Sequence, residues 1–358
     1  MVPFAPPRPR GTRAVRRALT GLALLSVLLA PVPAAARPFV DAAGRRVEIP
    51  DTVARVLAAG PPASVLLYAL APGKMVGWIS APAAEARPYL APATRDLPAY
   101  GRLTGRGGTA NVESVLVAKP DLIVDVGATG PTYASLADRV QAQTGIPYIL
   151  LDGAFGKTAE TLRQLGALIG EEAAGRDLAG AADALVAQTL RPVAAVPEAQ
   201  RPRVYYARGP KGLETAFSGS LSTEVLDALG ARNVAAGAGP GSLGTVSPEQ
   251  VLAWDPDVIV TVDAGVQAAF RTDPLWSGVT AVREGRVYRA PALPFGWFDA
   301  PPGVNRLIGL RWLAGLLYPA LFPGGLGKDL RAFYERFYHV DLSDAQRAAL
   351  LDGAGGGR

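Results

Sequence analysis

From residue 55 onward the chain alternates short, continuously apolar runs with longer segments whose apolar residues recur at three- and four-residue steps. "RVLAAG" (55–60) reads as a strand, Pro61-Pro62 opens the helical "ASVLLYAL", and "KMVGWI" (74–79) reads as a second strand. Proline in a first helical turn is favoured, and strand, helix, strand is a βαβ unit. "NVESVLVAKPDLIVDVG" (111–127) adds a helix at 112–118 and a strand at 121–126. "PTYASLADRVQAQTG" with "IPYILLD" (146–152) adds one more of each. Ahead of them, "DAAGRRVEIP" has Gly44 where a hairpin turn needs it. Uninterrupted apolar strands such as "DLIVDV" are those of a parallel sheet covered on both faces.

Between residues 158 and 196 the strands stop. Leu178, Ala181, Ala182, Leu185, Val186 and Leu190 trace one stripe, as a helix burying a single face requires. A helix over 171–190 is roughly 30 Å long at 1.5 Å per residue, the length of a strut. Alternation then resumes with the strand "RPRVYYARG" (201–209), the helix "LSTEVLDALGARNV", a second helix–strand pair and "GRVYRAPAL" (285–293). The chain ends in helical sequence and a glycine tail.

That second pair, "SPEQVLAWDPDVIVTVD" (247–263), repeats 111–127 at a constant offset of 136. Glu113/Glu249, Val115/Val251, Leu116/Leu252, Pro120/Pro256, Asp121/Asp257, Ile123/Ile259, Val124/Val260 and Val126/Val262 coincide. Two similar lobes follow. Each glutamate falls at the second position of its helix, after Asn111 or Ser247 as cap. The helix dipole favours an acid there by about 0.3–1 kcal/mol, which explains either one alone better than it explains both.

With 358 residues the chain can fill two cores. Its formal charge of +5 is a property of its front end. Arg8, Arg10, Arg13, Arg16 and Arg17 precede residue 37 without any acid; removing these five from the 36 basic residues leaves 31 against 31 acidic ones. The arginines lead into "ALTGLALLSVLLA" (18–30) and "PVPAAARPF", the pattern of a secretory signal cleaved near Ala36. Thirteen apolar residues are too few for the roughly 20 of a membrane span. Arg16-Arg17 leaves twin-arginine export open beside the general route. The lack of cysteine excludes disulfides, lipid-modified cysteine and thiolate metal sites. A soluble periplasmic protein is expected.

Enzymatic signatures are missing. The one histidine, His339, sits near the C-terminus in "FYHVDLSD", and no phosphate-binding GxxxxGK[ST] or dinucleotide GxGxxG follows a first strand. Three clusters could instead hold a ligand. "YGRLTGRGGTAN" (100–111) offers Tyr100, Arg102 and Arg106 in a loop that joins a strand end to a helix start, either as an anion site or as a plain connector. "YYARG" (205–209) offers Tyr205, Tyr206 and Arg208, and "LPFGWFDAPPGVNRL" (293–307) offers Trp297 with other rings beside Asp299, Asn305 and Arg306. Trp78, at a strand end, completes the candidates. The arginines among rings favour an anionic, partly aromatic ligand.

"NVESVLVAKPDLIV", "VSPEQVLAWDPDVIV" and the opening "VARVLAAGPPASVLLYAL" resemble the periplasmic substrate-binding proteins of ABC importers for ferric siderophores, cobalamin and haem, a family that also includes molybdate binders. The resemblance spans nearly all of 37–340. It implies an α/β fold of two Rossmann-like lobes with mainly parallel sheets, bridged by one long rigid helix, with the ligand between the lobes. The implied division is a signal peptide (1–36), an N-terminal lobe (37–157), a helical region with the interlobe helix (158–196), a C-terminal lobe (197–345) and a flexible tail (346–358). In the family's cobalamin binder, glutamates at the places of Glu113 and Glu249 engage arginines of the permease dimer, one per lobe. A longer loop at 102–108 departs from the family, and Tyr100 is a displaced counterpart of haem-ligating residues.

The resulting expectation is a monomeric binding protein without enzyme activity, intrinsic cofactor or nucleic-acid partner. It captures a ferric chelate, a small-molecule metal complex, and hands it to an ABC permease dimer with its ATPase subunits. Haem, cobalamin or a molybdate-like oxyanion are the alternative cargoes. An exported enzyme or a ligand-presenting sensor on the same scaffold is the remaining reading.

Overall fold

The computed structural model describes residues 1–5, 36–104 and 112–353. The body of the expected export signal, the segment 105–111 with Arg106 and Asn111, and the last five residues lie outside the described residues. The first sheet, of order β3-β4-β5, is parallel and is built from β3 (Val56–Ala58), β4 (Leu122–Gly127) and β5 (Tyr148–Asp152). An antiparallel hairpin of β1 (Ala36–Val40) and β2 (Arg46–Pro50) docks on it. Asp41 makes that dock: its carboxylate accepts from the amides of Ala43, Arg45 and Leu150 and pairs with Arg45 at 2.9 Å. Helices α1 (Pro61–Leu70), α2 (Val112–Ala118) and α3 (Pro131–Thr144) complete this lobe.

Residues 74–79 do not form the regular strand expected. They make only isolated bridges, Val56 to Met75 and Trp78 to Ala99. Gly77 shows why: a Cβ there would lie 2.3 Å from the Pro98 carbonyl oxygen and 2.8 Å from the Tyr100 ring. Residues 98–100 run parallel and close against it, Trp78 donating to the Pro98 carbonyl and accepting from the Tyr100 amide.

Next come α4 (Thr158–Ile169) and the strut, α5 (Glu172–Val193), 22 residues long. They touch through glycine. A Cβ on Gly175 would lie 2.9 Å from the Leu162 carbonyl oxygen and 3.1 Å from the Gly166 Cα. The second sheet, of order β11-β10-β6-β8, is also parallel. Its strands are β6 (Arg203–Ala207), β8 (Arg232–Asn233), β10 (Val258–Thr261) and β11 (Val287–Arg289). A small antiparallel pair, β7 (Glu214–Ala216) with β9 (Leu243–Thr245), is an addition that the pattern did not signal. Around them lie α6 (Glu224–Ala228), α7 (Pro248–Trp254), α8 (Ala264–Thr272) and α9 (Thr280–Arg283). The helix expected over 221–234 is thus only five residues long, cut by the turn at Gly230 (φ +64°).

The repeated segments share one backbone lock. In the first lobe Arg55 donates to the carbonyls of Lys119 and Ala118 at the end of α2, at 2.9 and 2.7 Å, while the Asp121 carboxylate accepts from the amides of Ala54 and Arg55. In the second lobe Arg203 donates to the carbonyls of Asp255 and Trp254 at the end of α7, and Asp257 accepts from the Arg203 amide at 2.8 Å. The residues leaving the two helices, Lys119 and Asp255, both adopt left-handed backbone, at φ +47° and +41°. An arginine at the start of the first strand thus caps the helix end with charge-assisted bonds.

Helices α10 (Arg306–Leu317), α11 (Gly327–Tyr338) and α12 (Asp344–Gly353) close the fold. The tail expected from 346 is helical through 353, with Leu350 buried. Although α10 and α11 follow the second sheet in sequence, they pack back across the molecule, α10 on α5 and α11 on α1. One core cluster therefore contains Val56 and Val124 of the first sheet, Val204 and Val258 of the second, and Leu307, Tyr334 and Tyr338. Each lobe has a separate outer cluster. From Ala36 on, the chain is one compact unit.

Candidate functional site

In open α/β sheets ligands sit beyond the carboxyl ends of the strands. There, at the joint of the lobes, the chain forms a small recess. Pro62 at the start of α1, Val126 at the end of β4, Asp152 and Gly153 after β5, and Gly303 and Arg306 at the start of α10 wall it.

Arg306 organises this joint. It is 1 % exposed, and its guanidinium donates to the Gly153 carbonyl in the first lobe and to the Leu221 carbonyl and Glu224 in the second, each at 2.8 Å. Glu224 also accepts from the amide of Phe155 at 2.8 Å, and the Phe155 ring lies 5.4 Å from the guanidinium carbon. A buried cation is tolerated only when it is paired and hydrogen-bonded. Arg306 is both, and its partners come from both lobes.

A second arginine lies just beyond β6. Arg208 pairs with Asp299 at 2.7 Å, donates to the Ser222 hydroxyl at 3.0 Å and stands over the Tyr206 ring. The Tyr206 hydroxyl donates to Asp299 at 3.0 Å, and burial, then Asp299, raises its pKa well above the ordinary value.

Behind the first-lobe strand ends, Asp125 is buried and, among the described residues, forms no ion pair. It accepts from the Thr104 and Tyr148 hydroxyls, each at 3.2 Å, and from the Val126 amide at 3.0 Å. Gly60 makes room for this contact, since a Cβ there would lie 2.4 Å from the Thr104 hydroxyl oxygen. Burial pushes the Asp125 carboxyl up to about 6 against the pull of those three donors.

Four of the ligand candidates lie in the core instead of on the recess. Trp78 is 3 % exposed, and its indole donates to the Thr94 carbonyl. Trp297 is fully buried with its indole on the Tyr334 hydroxyl. Tyr205 donates to the Gly212 carbonyl and Tyr206 to Asp299, both fully buried. The reason for the tyrosines is the parallel sheet: both faces of β6 are covered, so successive rings are buried on opposite sides. Tyr100 and Arg102 are half-buried, and Arg208 is held by Asp299. Arg106 lies outside the described residues. Glu113 and Glu249 are exposed, and among the described residues neither forms an ion pair. Ser247 caps α7 in a capping box with Gln250. The Glu249 carboxyl is held below its usual range by its own backbone N–H and by the Ser247 hydroxyl. The sequence reading missed Glu224, Asp152 and Asp125, and it met Arg306 and Asp299 only as neighbours of rings. Asp152-Gly153 directly after an apolar strand was the available signal.

Two parallel-sheet lobes joined by a long helix, with a recess at the joint, define a bilobal solute-binding protein. The chain belongs to the periplasmic binding protein family, whose sequence profile matches residues 59–293. It is similar to an ABC transporter solute binding protein from Sulfurospirillum deleyianum, at 28 % identity, covering 88 % of this chain and 99 % of that one with a TM-score of 0.80. It shares the fold of the molybdate periplasmic binding protein MolA of Haemophilus influenzae (24 % identity, 86 % and 99 % covered, TM-score 0.71). It also shares that of the periplasmic heme-binding protein RhuT of Roseiflexus (22 % identity, 75 % and 99 % covered, TM-score 0.60). No curated protein matches the chain in sequence. Among the described residues no helix is long and apolar enough to cross a membrane.

The raised Asp125 pKa sets a pH dependence. The folded protein holds this proton more tightly than the unfolded chain, so the contribution is fully present below the ordinary carboxylate value of 3.8 and is lost as pH rises through about 6. Urea unfolding at pH 4.5 and 7.5 should show Asp125→Asn gaining on the wild type by on the order of 2 kcal/mol between the two. An equal offset at both pH values would contradict the assignment.

Proposed function

We propose that the chain is the substrate-binding component of an ABC importer, capturing a siderophore-type ferric chelate between its lobes and delivering it to a permease dimer with its ATPase subunits. The family supports the binding role. The observation that carries the partner is the recurrence of an exposed glutamate at equivalent helix starts in the two lobes. Val115 and Val251 are fully buried, Ile123/Ile259 and Val124/Val260 are core strand residues, and Asp121/Asp257 close the backbone locks. Glu113 and Glu249 recur without any such task, exposed at the start of α2 and α7. Two equivalent carboxylates on two lobes suit a partner built of two copies, each offering a cation.

Export to the periplasm by the segment 1–36 belongs to the same reading. Among the described residues no three histidine, aspartate or glutamate side chains group as a metal site.

Reversing both charges, Glu113→Lys with Glu249→Lys, should leave the melting temperature and chelate affinity unchanged while abolishing uptake through the reconstituted importer, since each would face the permease cation with a like charge. Full uptake by the double variant would return both residues to the helix dipole. A Soret band, or bound molybdate, in protein purified from its own compartment would overturn the iron-chelate cargo.

A further inference from the structure

From Ala36 on, the large apolar side chains exposed among the described residues are those of Val40, Leu116, Val117, Leu275 and Leu321. Single exposed apolar residues are ordinary. Leu116 and Val117 are a pair on α2, 47 % and 69 % exposed. They stand three and four residues after Glu113, the spacing that places side chains on one face of a helix. Val115 and Ala118 already anchor α2, both fully buried in the first lobe's outer cluster. The core therefore does not require the exposed pair. Local preference does not select it either, since valine is a poorer helix former than the charged residues that usually fill such positions.

The second lobe shows what the same helix looks like without this pair. At the constant offset of 136, α7 has Leu252 and Ala253 in the corresponding places after Glu249. Leu252 is half-buried against the second lobe's outer cluster. Ala253 is exposed but offers one methyl group where Val117 offers an isopropyl group. Both helices start with an exposed carboxylate; of the two, only α2 follows it with an open aliphatic step.

Charge and symmetry narrow what covers that step. An exposed helix face does not enclose a small solute. An anionic lipid surface repels the carboxylate beside the pair. A twofold contact with a second copy would bring Glu113 near its own counterpart, like charge on like. A protein partner with a cation beside an aliphatic patch suits all three side chains, as an apolar centre with a charged rim. We propose that Leu116 and Val117 are an apolar anchor for docking on the permease, seated against an aliphatic patch next to the cation that meets Glu113. Two copies of the partner offer the same patch twice, so the first lobe is held more tightly than the second. This rests on the permease reading above and adds to it the unequal grip of the two lobes.

Docking of the whole protein on the importer reconstituted in nanodiscs, measured by biolayer interferometry at low and high salt, tests it. Leu116→Asn with Val117→Thr keeps the side-chain shapes at exposed positions, so the melting temperature should hold. Docking should weaken about tenfold at both salt levels, because apolar contact is not screened. Ala253→Ser should change affinity by less than about twofold. Glu113→Gln with Glu249→Gln should weaken docking chiefly at low salt. If the paired substitution lowers the melting temperature, the isosteric Val117→Thr alone decides, with a loss of about threefold expected. Unchanged docking of the Leu116/Val117 variant beside weakened docking of the glutamate variant overturns the anchor and leaves the permease reading standing. Docking that neither variant changes, or that the wild type does not show, removes the permease reading and the anchor with it. An equal loss from Ala253→Ser also overturns the proposal. So does a wild-type dimer in sedimentation equilibrium, or binding to anionic lipid vesicles, that the Leu116/Val117 variant abolishes.

Discussion

A single buried cation holds the two lobes in register. Arg306 has no solvent to fall back on, so its charge must be met by Glu224 and by carbonyls of both lobes at once. Removing one partner from such a set is expected to cost about 3–5 kcal/mol, because the other is left buried and uncompensated. The helices α10 and α11 work to the same end, carrying apolar side chains from the second half of the chain onto α1 and α5. A joint made this way is not a loose hinge. The recess beside it has its width and its chemistry set before any ligand arrives, which lowers the ordering that binding requires.

That pre-formed chemistry follows from small sequence choices. Pro61 and Pro62 remove backbone donors where α1 begins, two threonines spend their hydroxyl protons on backbone carbonyls, and Arg208 and Arg306 are matched by carboxylates in the fold. Counting arginines near rings suggested an anion-binding cleft. Arg208 and Arg306 are each bonded to a carboxylate of the fold, and a guanidinium so bonded presents little net charge to a guest.

The alternation of strands and helices was legible because parallel strands covered on both faces are continuously apolar and their helices are striped. The repeat was legible too, and the structure supplies what identity alone could not: the Arg55 and Arg203 locks lie 66 and 54 residues from Asp121 and Asp257, beyond the span compared. Residues 74–79 looked like a strand since their apolar run is real, yet the contact of Gly77 with Pro98 is not local and leaves no trace in periodicity. The rings of Trp78, Trp297, Tyr205 and Tyr206 were misplaced for a related reason. An aromatic residue near a strand end or a glycine-broken loop has the same sequence whether it faces a cleft or a core. Arg306 was hidden by its chemistry: nothing local marks an arginine as buried when its partners sit 82, 85 and 153 residues away.

Native-state hydrogen exchange in the Arg306→Met variant tests most directly whether this one cation unites the lobes. If it does, amides of β4 in the first sheet and β10 in the second should lose protection together and by the same amount, about 3 kcal/mol. Loss confined to one sheet, with the other keeping its wild-type protection, would show two lobes that stand independently and would contradict the account.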